Sequence, residues 1–294
     1  MGFFSNLFAK KNCSICGNEI GLLGNRKLED GNMCKNCASK LSPWFSERRS
    51  STVAQIEEQL AYREENKEKV AQFHVTRSLG LDNTKVLLDE DKGQFLVSKT
   101  RQWREENPDV LSFDQVTGCV VDIDESEREE MQDGPDNKKI SYEPRRYTYY
   151  YDFYVKISVN HPYFDQIKFR VNSSSVTETY QDRMRYNMAQ GRTGQPPMSR
   201  SGSTLENILG AVVNTVAAAN STVTEFDGHG VDYREGLETA YAIRDALTQI
   251  HQQVREEILS AAAPKANVNC PCCGALTTPT GNGCCEYCGA PLNG

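Results

Sequence analysis

Residues 13–37 read CSICGNEIGLLGNRKLEDGNMCKNC, and the two Cys-x-x-Cys pairs in this stretch are separated by 17 residues. Each pair can form a tight turn that presents two thiolates, and the segment between them is long enough to bring the second turn next to the first. Four such thiolates are typical of a tetrahedral structural zinc site. We therefore predict a zinc module with four ligands: Cys13, Cys16, Cys34 and Cys37.

The other end of the chain carries a similar arrangement, with 11 residues between two Cys-x-x-Cys pairs. A second zinc ion is predicted there, in a zinc ribbon over residues 268–294, with these ligands: Cys270, Cys273, Cys285 and Cys288. Because Cys272 and Cys284 adjoin two of these ligands, a shifted register is an alternative. We prefer the first register because Gly274 and Gly289 then directly follow the second ligand of each pair and permit a positive φ.

The composition predicts a soluble globular protein. The chain has 294 residues, which is enough for one large or two ordinary domains. Eight of its eleven cysteines lie in Cys-x-x-Cys pairs, which favours metal ligation over disulfides and hence a cytoplasmic location. The sequence suggests no role for Cys119, and none for Cys272 or Cys284 outside the shifted register. The formal net charge of −7 disfavours a general nucleic-acid-binding protein, which needs cations against phosphates.

The N-terminal module resembles a small zinc domain of unknown function that is found at the start of many bacterial proteins. The resemblance lies in the two cysteine pairs and in three short segments between them: residues 20–24, 26–28 and 30–31. It covers about residues 11–45 and implies a bacterial origin and a modular architecture, but no known activity. We place the module at residues 13–46 and expect Leu41, Trp44 and Phe45 to supply its small apolar core.

Residues 1–12 form a short amphipathic N-terminus. Lys10 and Lys11 follow four apolar side chains at helical spacing: Phe3, Phe4, Leu7 and Phe8. Such a segment can contact a membrane surface, although we prefer packing against the zinc module or a partner. The start is too short for a secretory signal, and no stretch of the chain reaches the roughly 20 apolar residues of a membrane span.

The middle of the chain changes from a helical to a strand pattern. Residues 50–75 have an incomplete apolar stripe, which predicts a connecting helix solvated on most sides. Apolar residues then alternate with period two, most clearly over residues 147–159 and in a partner strand over residues 166–171. We predict an antiparallel meander with one buried face.

This central domain is placed at residues 81–262, with insertions at 124–146 and 173–230. The first insertion is expected to be a solvated hairpin extension, and residues 173–203 a mobile loop. An apolar helix is predicted over residues 204–219, buried in the protein or in an oligomer in preference to a membrane. A long amphipathic helix then ends near Ala262, and a linker with little apolar character predicts an independently mobile ribbon.

A meander of six or seven short strands followed by one amphipathic helix resembles a bacterial pleckstrin-homology-like (PH-like) domain. The predicted fold class is therefore α+β: an antiparallel PH-like β-meander with a C-terminal helix, flanked by two small zinc-binding modules. The resemblance implies a scaffold that binds peptides, proteins or lipids through strand edges and loops, usually without catalysis.

The sequence contains no phosphate-binding loop, nucleophile elbow or His-Glu-x-x-His motif, and its four histidines lie in unrelated contexts. A possible metal loop over residues 227–232 is better explained as a glycine turn before a helix. Because four-thiolate zinc sites are structural, we predict a non-catalytic cytoplasmic adaptor with unidentified protein partners, which can form a homo-oligomer. The alternatives are a peripheral membrane protein anchored by the aromatic N-terminus and a nucleic-acid-binding zinc-ribbon protein.

Overall fold

A computed structural model describes residues 11–189, 229–262, 268–280 and 283–292. The aromatic N-terminal side chains and the helix predicted over residues 204–219 lie outside these ranges. The chain divides into two compact units, Met1–Thr248 and Gln249–Gly294. Within the part that the structure describes, no helix combines the length and the apolar character needed to cross a membrane.

Mixed helices and antiparallel strands build the described part of the chain. The α-helices are α1 (Lys35–Ala38), α2 (Val53–Gln72), α3 (Trp103–Glu106), α4 (Tyr180–Ala189) and α5 (Val231–Ala262). The strands before the long hairpin are β1 (Lys11–Asn12), β2 (Glu19–Ile20), β3 (Arg26–Lys27), β4 (Asn32–Met33), β5 (Arg77–Leu79), β6 (Lys85–Asp89), β7 (Gln94–Ser98) and β8 (Leu111–Ser112). The remaining strands are β9 (Val116–Asp133), β10 (Lys139–His161), β11 (Phe164–Arg170), β12 (Val176–Glu178), β13 (Val268–Asn269) and β14 (Leu276–Thr277).

The central strands form two separate four-stranded sheets and not the single meander that the sequence predicts. One sheet has the order β5-β6-β7-β8, and in the other β10 pairs with β9, β11 and β12. The break falls at β8, which is only two residues long and is followed by a 3-10 turn, Phe113–Gln115. Ser112 and Gln115 form a capping box there, which turns the chain and ends the ladder.

The long strand β10 alternates between a buried and a solvated face, as its sequence predicts. The side chains of the buried face are almost fully excluded from solvent: Tyr149, Tyr151, Phe153, Val155 and Ile157. Helix α5 packs against this face, with the ring of Tyr233 edge-on to those of Tyr151 and Phe153 at 4.8 and 5.1 Å. A Cβ at Gly236 would lie 2.6 Å from the Phe153 ring, so glycine permits the close approach of α5.

The start of the second insertion is ordered, whereas we expected a mobile loop from residue 173. Strand β12 pairs with Tyr149–Tyr151 of β10, and α4 follows it. The carboxylate of Asp182 accepts hydrogen bonds from the backbone N–H and the hydroxyl of Thr179 at 3.0 and 2.6 Å. The polar composition that predicted mobility instead supplies a helix cap.

Helix α2 forms as predicted, but it is not the solvated spacer that its polar sequence indicates. Its Gln59, Arg63 and Asn66 are buried. Arg63 donates to the carboxylate of Asp109 at 2.7 Å, and Asn66 donates to the carbonyl of Pro108 at 2.8 Å. Polar side chains therefore attach α2 to the loop before β8, because buried hydrogen-bonding groups need partners.

Candidate metal centres

The first cysteine cluster is built by two tight turns. The N–H of Cys13 donates to the carbonyl of Asn18 and the N–H of Gly17 donates to the carbonyl of Cys13, both at 2.8 Å. Gly17 adopts a φ of +74°, which glycine reaches without strain. The second turn leads into α1, where Cys34 is the N-cap and its sulfur accepts the N–H of Cys37 at 3.4 Å.

These turns bring together the four sulfurs of Cys13, Cys16, Cys34 and Cys37, all within 4.8 Å of one another. The Cys16 and Cys34 sulfurs are 3.8 Å apart, far beyond the roughly 2.05 Å of a disulfide. Zinc–sulfur bonds of about 2.3 Å in a tetrahedron place the sulfurs about 3.8 Å apart. The cluster therefore has the dimensions of a four-thiolate metal site.

Local hydrogen bonds prepare one thiol of this cluster to ionise. Burial of Cys13 raises its pKa, but the N–H groups of Cys34, Cys16 and Ile15 stabilise the thiolate and lower the pKa to about 6. Burial and the neighbouring sulfurs raise the pKa of Cys37 above its usual value. A bound dication would offset the repulsion among four thiolates in one place.

The second cluster repeats this geometry. Its four sulfurs also lie within 4.8 Å of one another: Cys270, Cys273, Cys285 and Cys288. The sulfurs of Cys270 and Cys288 are 3.5 Å apart, and those of Cys273 and Cys285 are 3.7 Å apart. Gly274 and Gly289, which follow the second ligand of each pair, have φ values of +72° and +71°. This is the register that we prefer from the glycine positions.

The two neighbouring cysteines lie outside this cluster. Cys272 is exposed, and Cys284 lies in a β-bridge to Pro291. Burial raises the pKa of Cys285, but the N–H groups of Cys288 and Tyr287 lower it to about 6. The N–H of Ala290 lowers the pKa of Cys288, but the sulfurs of Cys270 and Cys273 outweigh it and raise this pKa to about 12. The N–H groups of Cys273 and Cys272 lower the pKa of Cys270 as well. A bound dication would offset the repulsion among the four thiolates, as in the first cluster.

The core of the first module reaches further along the chain than its cysteines. The buried cluster around the centre comprises Cys13, Ile20, Leu28, Met33, Cys37, Leu41 and Ile56. Ile56 belongs to α2, and Val53 and Leu60 of the same helix pack against the cluster. Asp30 accepts the N–H of Val53 at 2.8 Å. The first turns of α2 therefore complete the module. Of the residues expected to supply its core, Leu41 is buried in the cluster and half-buried Phe45 packs against it, whereas Trp44 is half-buried and is not a member.

We predict two equivalents of zinc per chain when the protein is purified without added metal and measured by elemental analysis. Cys285→Ser is expected to leave one equivalent, because it removes a ligand from the second cluster only. Cys272→Ser, the matched control, is expected to leave both, because that thiol lies outside the cluster. Loss of an equivalent in the control would instead support the shifted register.

A cleft of about 530 Å³ lies between the first module and the turn that joins β10 to β11. Aromatic side chains of both parts line it, among them Trp44 and Tyr163. Glu58 of α2 and Asp165 of β11 also line it. The cleft thus combines aromatic walls with negative charge.

His161 forms part of the cleft wall and is held in its neutral form. Its Nδ1 accepts the N–H of Tyr163 at 3.3 Å, so Nε2 carries the proton and donates to the hydroxyl of Tyr62 at 3.0 Å. Its ring stacks on Phe164 with centroids 4.1 Å apart. Burial, and then the positive charge of Lys69, lower the pKa of His161 to about 4.

The free energy of unfolding is expected to fall as the pH falls from about 6.5 to about 4. In this window the unfolded chain protonates His161 and the folded chain does not, so protons favour unfolding. Urea titrations should show that His161→Gln has a weaker pH dependence than the wild type. The same change at exposed His74 is the control, and equal slopes for wild type and His161→Gln would contradict the prediction.

A second histidine has a carboxylate partner that its sequence context does not reveal. His229 Nδ1 lies 2.8 Å from Glu178 Oε2, and Glu178 Oε1 accepts the N–H of Gly230 at 2.7 Å. Glu178 belongs to β12 and is 2% exposed. Its bond to Gly230 brings the carboxylate to the N-terminus of α5, where the helix dipole favours a negative charge. We interpret this pair as a helix cap.

In the parts of the chain that the structure describes, the two cysteine sets are the only groups placed to hold a metal.

Comparison with known proteins finds one similarity. The sequence profile of a domain of unknown function (DUF4428) matches residues 11–59. This confirms the resemblance of the N-terminal module to such a domain, and the match continues past residue 45 into α2, where Ile56 completes the core. A search of curated proteins found no match, and neither did a search of solved structures.

Proposed function

We propose that this protein is a non-catalytic cytoplasmic adaptor that binds protein partners. The observation that carries the proposal is the make-up of the two metal centres, each of which assembles four thiolates. Four thiolates fill a tetrahedral zinc ion and leave no position for a substrate or a reactive water, so zinc would act as a structural ion. Metal held in this way stabilises small modules that present surface to partners.

The central domain is proposed to be a PH-like scaffold. Two antiparallel sheets followed by α5, which packs on the buried face of β10, support this assignment. A scaffold of this kind binds through clefts and strand edges and needs no catalytic residues. Nucleic acid is a less suitable ligand, because residues 268–294 contain no lysine or arginine to contact phosphates.

The cleft between the first module and the β10–β11 turn is the proposed partner site. Its aromatic side chains supply apolar contact area, and Trp44 already has the ammonium of Lys99 5.1 Å from its ring centroid. Glu58 and Asp165 add negative charge to the lining of the cleft. A basic segment of a partner protein, with lysine or arginine side chains over the aromatic rings, has the complementary chemistry.

Affinity purification from the native cell with quantitative mass spectrometry tests this proposal. Glu58→Lys combined with Asp165→Lys reverses the charge of the cleft on exposed side chains and leaves the core intact. We expect a partner that co-purifies with the wild type to be lost from this variant. Glu68→Lys combined with Asp133→Lys makes the same change in charge outside the cleft and should retain the partner. An unchanged set of partners in the cleft variant would refute the cleft as the site.

A further inference from the structure

The loop between β2 and β3 presents two leucines to solvent. Leu22 is 83% exposed and Leu23 is 93% exposed, the two highest values among the exposed large apolar side chains of the described residues. The loop is a tight turn, in which the N–H of Gly24 donates to the carbonyl of Gly21 at 2.9 Å. Arg26 donates to the carbonyl of Leu23 at 3.4 Å. The turn therefore directs both leucine side chains into solvent and away from the core of the module.

Basic side chains lie directly beside this turn. Arg48 donates to the carbonyl of Lys27 at 2.6 Å, which places the 3-10 turn Glu47–Ser50 next to β3. Burial, followed by the positive charges of Arg26 and Arg49, lowers the pKa of Arg48, so the guanidinium groups of Arg26 and Arg49 both lie within electrostatic range of Arg48. The two leucines and these three arginines therefore lie on neighbouring segments, the β2–β3 loop, β3 and the 3-10 turn, and we call them together the leucine–arginine tip.

The segment that carries the tip, from β1 to the residue after the 3-10 turn, differs in charge from the whole chain. Residues 11–51 contain seven lysines and arginines and four acidic residues, whereas the chain as a whole carries a formal charge of −7. One of the four acidic residues, Asp30, is engaged by the N–H of Val53. A segment with a positive formal charge that also exposes two leucines is suited to an anionic surface with an apolar interior.

We propose that the leucine–arginine tip binds the surface of a membrane that contains anionic lipids. Leu22 and Leu23 enter the boundary between headgroups and acyl chains, and Arg26, Arg48 and Arg49 contact the lipid phosphates. This inference does not depend on the adaptor function, since the tip and the partner cleft use different side chains.

The shape of the tip favours a lipid surface over a protein partner. A stable protein interface buries at least about 1,000 Å² against a complementary surface, and two leucines on a projecting turn offer only a small part of that area. A fluid lipid layer adapts to a convex tip and needs no matching pocket. Guanidinium groups beside the leucines bind phosphate oxygens through paired N–H donors.

Vesicle flotation of the full chain tests the proposal, with phosphatidylcholine alone and with added phosphatidylglycerol. Wild-type protein should float with the anionic vesicles and remain below with the neutral ones. Leu22→Ser combined with Leu23→Ser should lower the partition coefficient about tenfold or more, since each leucine contributes buried apolar area. Arg49→Gln should lower it about fivefold, as expected for one cation at an anionic surface, and should weaken its dependence on salt.

Two further variants make the result decisive. Leu276→Ser combined with Tyr287→Ser removes two exposed apolar side chains of the C-terminal unit, 61% and 70% exposed, and should bind vesicles like the wild type. Serine at Phe3, Phe4, Leu7 and Phe8 tests the anchor that the sequence offers as an alternative. The proposal is overturned if wild-type protein does not float, or if only the N-terminal variant loses binding. Circular dichroism and zinc content should confirm that the exposed Leu22 and Leu23 changes leave the fold intact.

Discussion

Cys34→Ser is expected to release the metal from the first centre and to unfold the N-terminal module. Cys34 supplies one of four clustered sulfurs, and its sulfur also accepts the N–H of Cys37 at the start of α1. Structural zinc binds with an apparent free energy of about 10–16 kcal/mol, as much as the whole stability of many domains, about 5–15 kcal/mol. A module of this size cannot replace that contribution by apolar burial.

The unfolding should extend into α2 and stop before the long hairpin. Ile56 is fully buried in the core of the module, so the first turns of α2 lose their packing surface when the module opens. No residue of β9 or β10 belongs to that buried cluster. Hydrogen exchange with mass spectrometry should show lost protection over residues 13–60, with protection of β10 retained.

The matched control for this prediction is Cys119→Ser, which removes a thiol on β9 outside both clusters. Its zinc content and its exchange pattern should equal those of the wild type. If Cys34→Ser kept two equivalents of zinc, the first cluster would not be a metal site. Loss of protection across both central sheets would show instead that the module is integral to a single core.

The cysteine clusters could be predicted from the sequence because their chemistry is local. A Cys-x-x-Cys turn is fixed by two intervening residues and a following glycine, and no long-range contact is needed to recognise it. The buried face of β10 could be predicted for a similar reason, because alternation along one strand reports burial directly. These two features account for most of what the sequence reveals about the fold and the candidate sites.

Features that depend on distant partners could not be predicted. Strand β12 has an unremarkable sequence and becomes a strand only because β10 offers a free edge beside Tyr149–Tyr151. Glu178 and His229 are 51 residues apart, and nothing near either residue indicates the other. The exposure of Leu22 and Leu23 belongs to the same group, because an apolar pair in a short module is more simply explained as core. The one available signal was the pair of flanking glycines, Gly21 and Gly24.

The polar face of α2 shows the same limitation. Gln, Arg and Asn at helical positions predict a solvated surface, because such residues are rarely buried without partners. Here Arg63 donates to Asp109, which lies 46 residues further along the chain, and Asn66 accepts the N–H of Val110 at 3.0 Å. The partners lie in a loop that a helix-by-helix interpretation of the sequence cannot connect to α2. Such a buried polar contact can be recognised only when both sides of it are in place.

Asp109→Ala is expected to destabilise the protein by about 3–5 kcal/mol, the usual cost of leaving one member of a buried ion pair without its partner. The side chains of Arg63 and Asp109 are 6% and 0% exposed, and their charged atoms are 2.7 Å apart. Burial raises the pKa of Asp109, and the charge of Arg63 and the hydroxyl of Ser42 only partly oppose this. Burying the two charges therefore costs desolvation energy, which their attraction offsets. In the alanine variant Arg63 stays buried without a carboxylate partner, so its desolvation cost is no longer offset.

The loss should be shared by two parts of the first unit, because this network joins them. Ser42 donates to Asp109 at 2.8 Å and Arg63 donates to the carbonyl of Lys40 at 3.2 Å, so the module and the loop before β8 depend on the same two charges. Urea unfolding should therefore show a lower midpoint for Asp109→Ala.

Glu64→Ala, which breaks the exposed pair with Lys67 on the same helix, is the matched control. It should show no measurable change, because solvent screens that pair. Asp109→Asn should fall between wild type and alanine, since it keeps an oxygen for Ser42 and removes only the charge. Equal midpoints for Asp109→Ala and Glu64→Ala would show that the buried pair does not join the N-terminal module to the loop before β8.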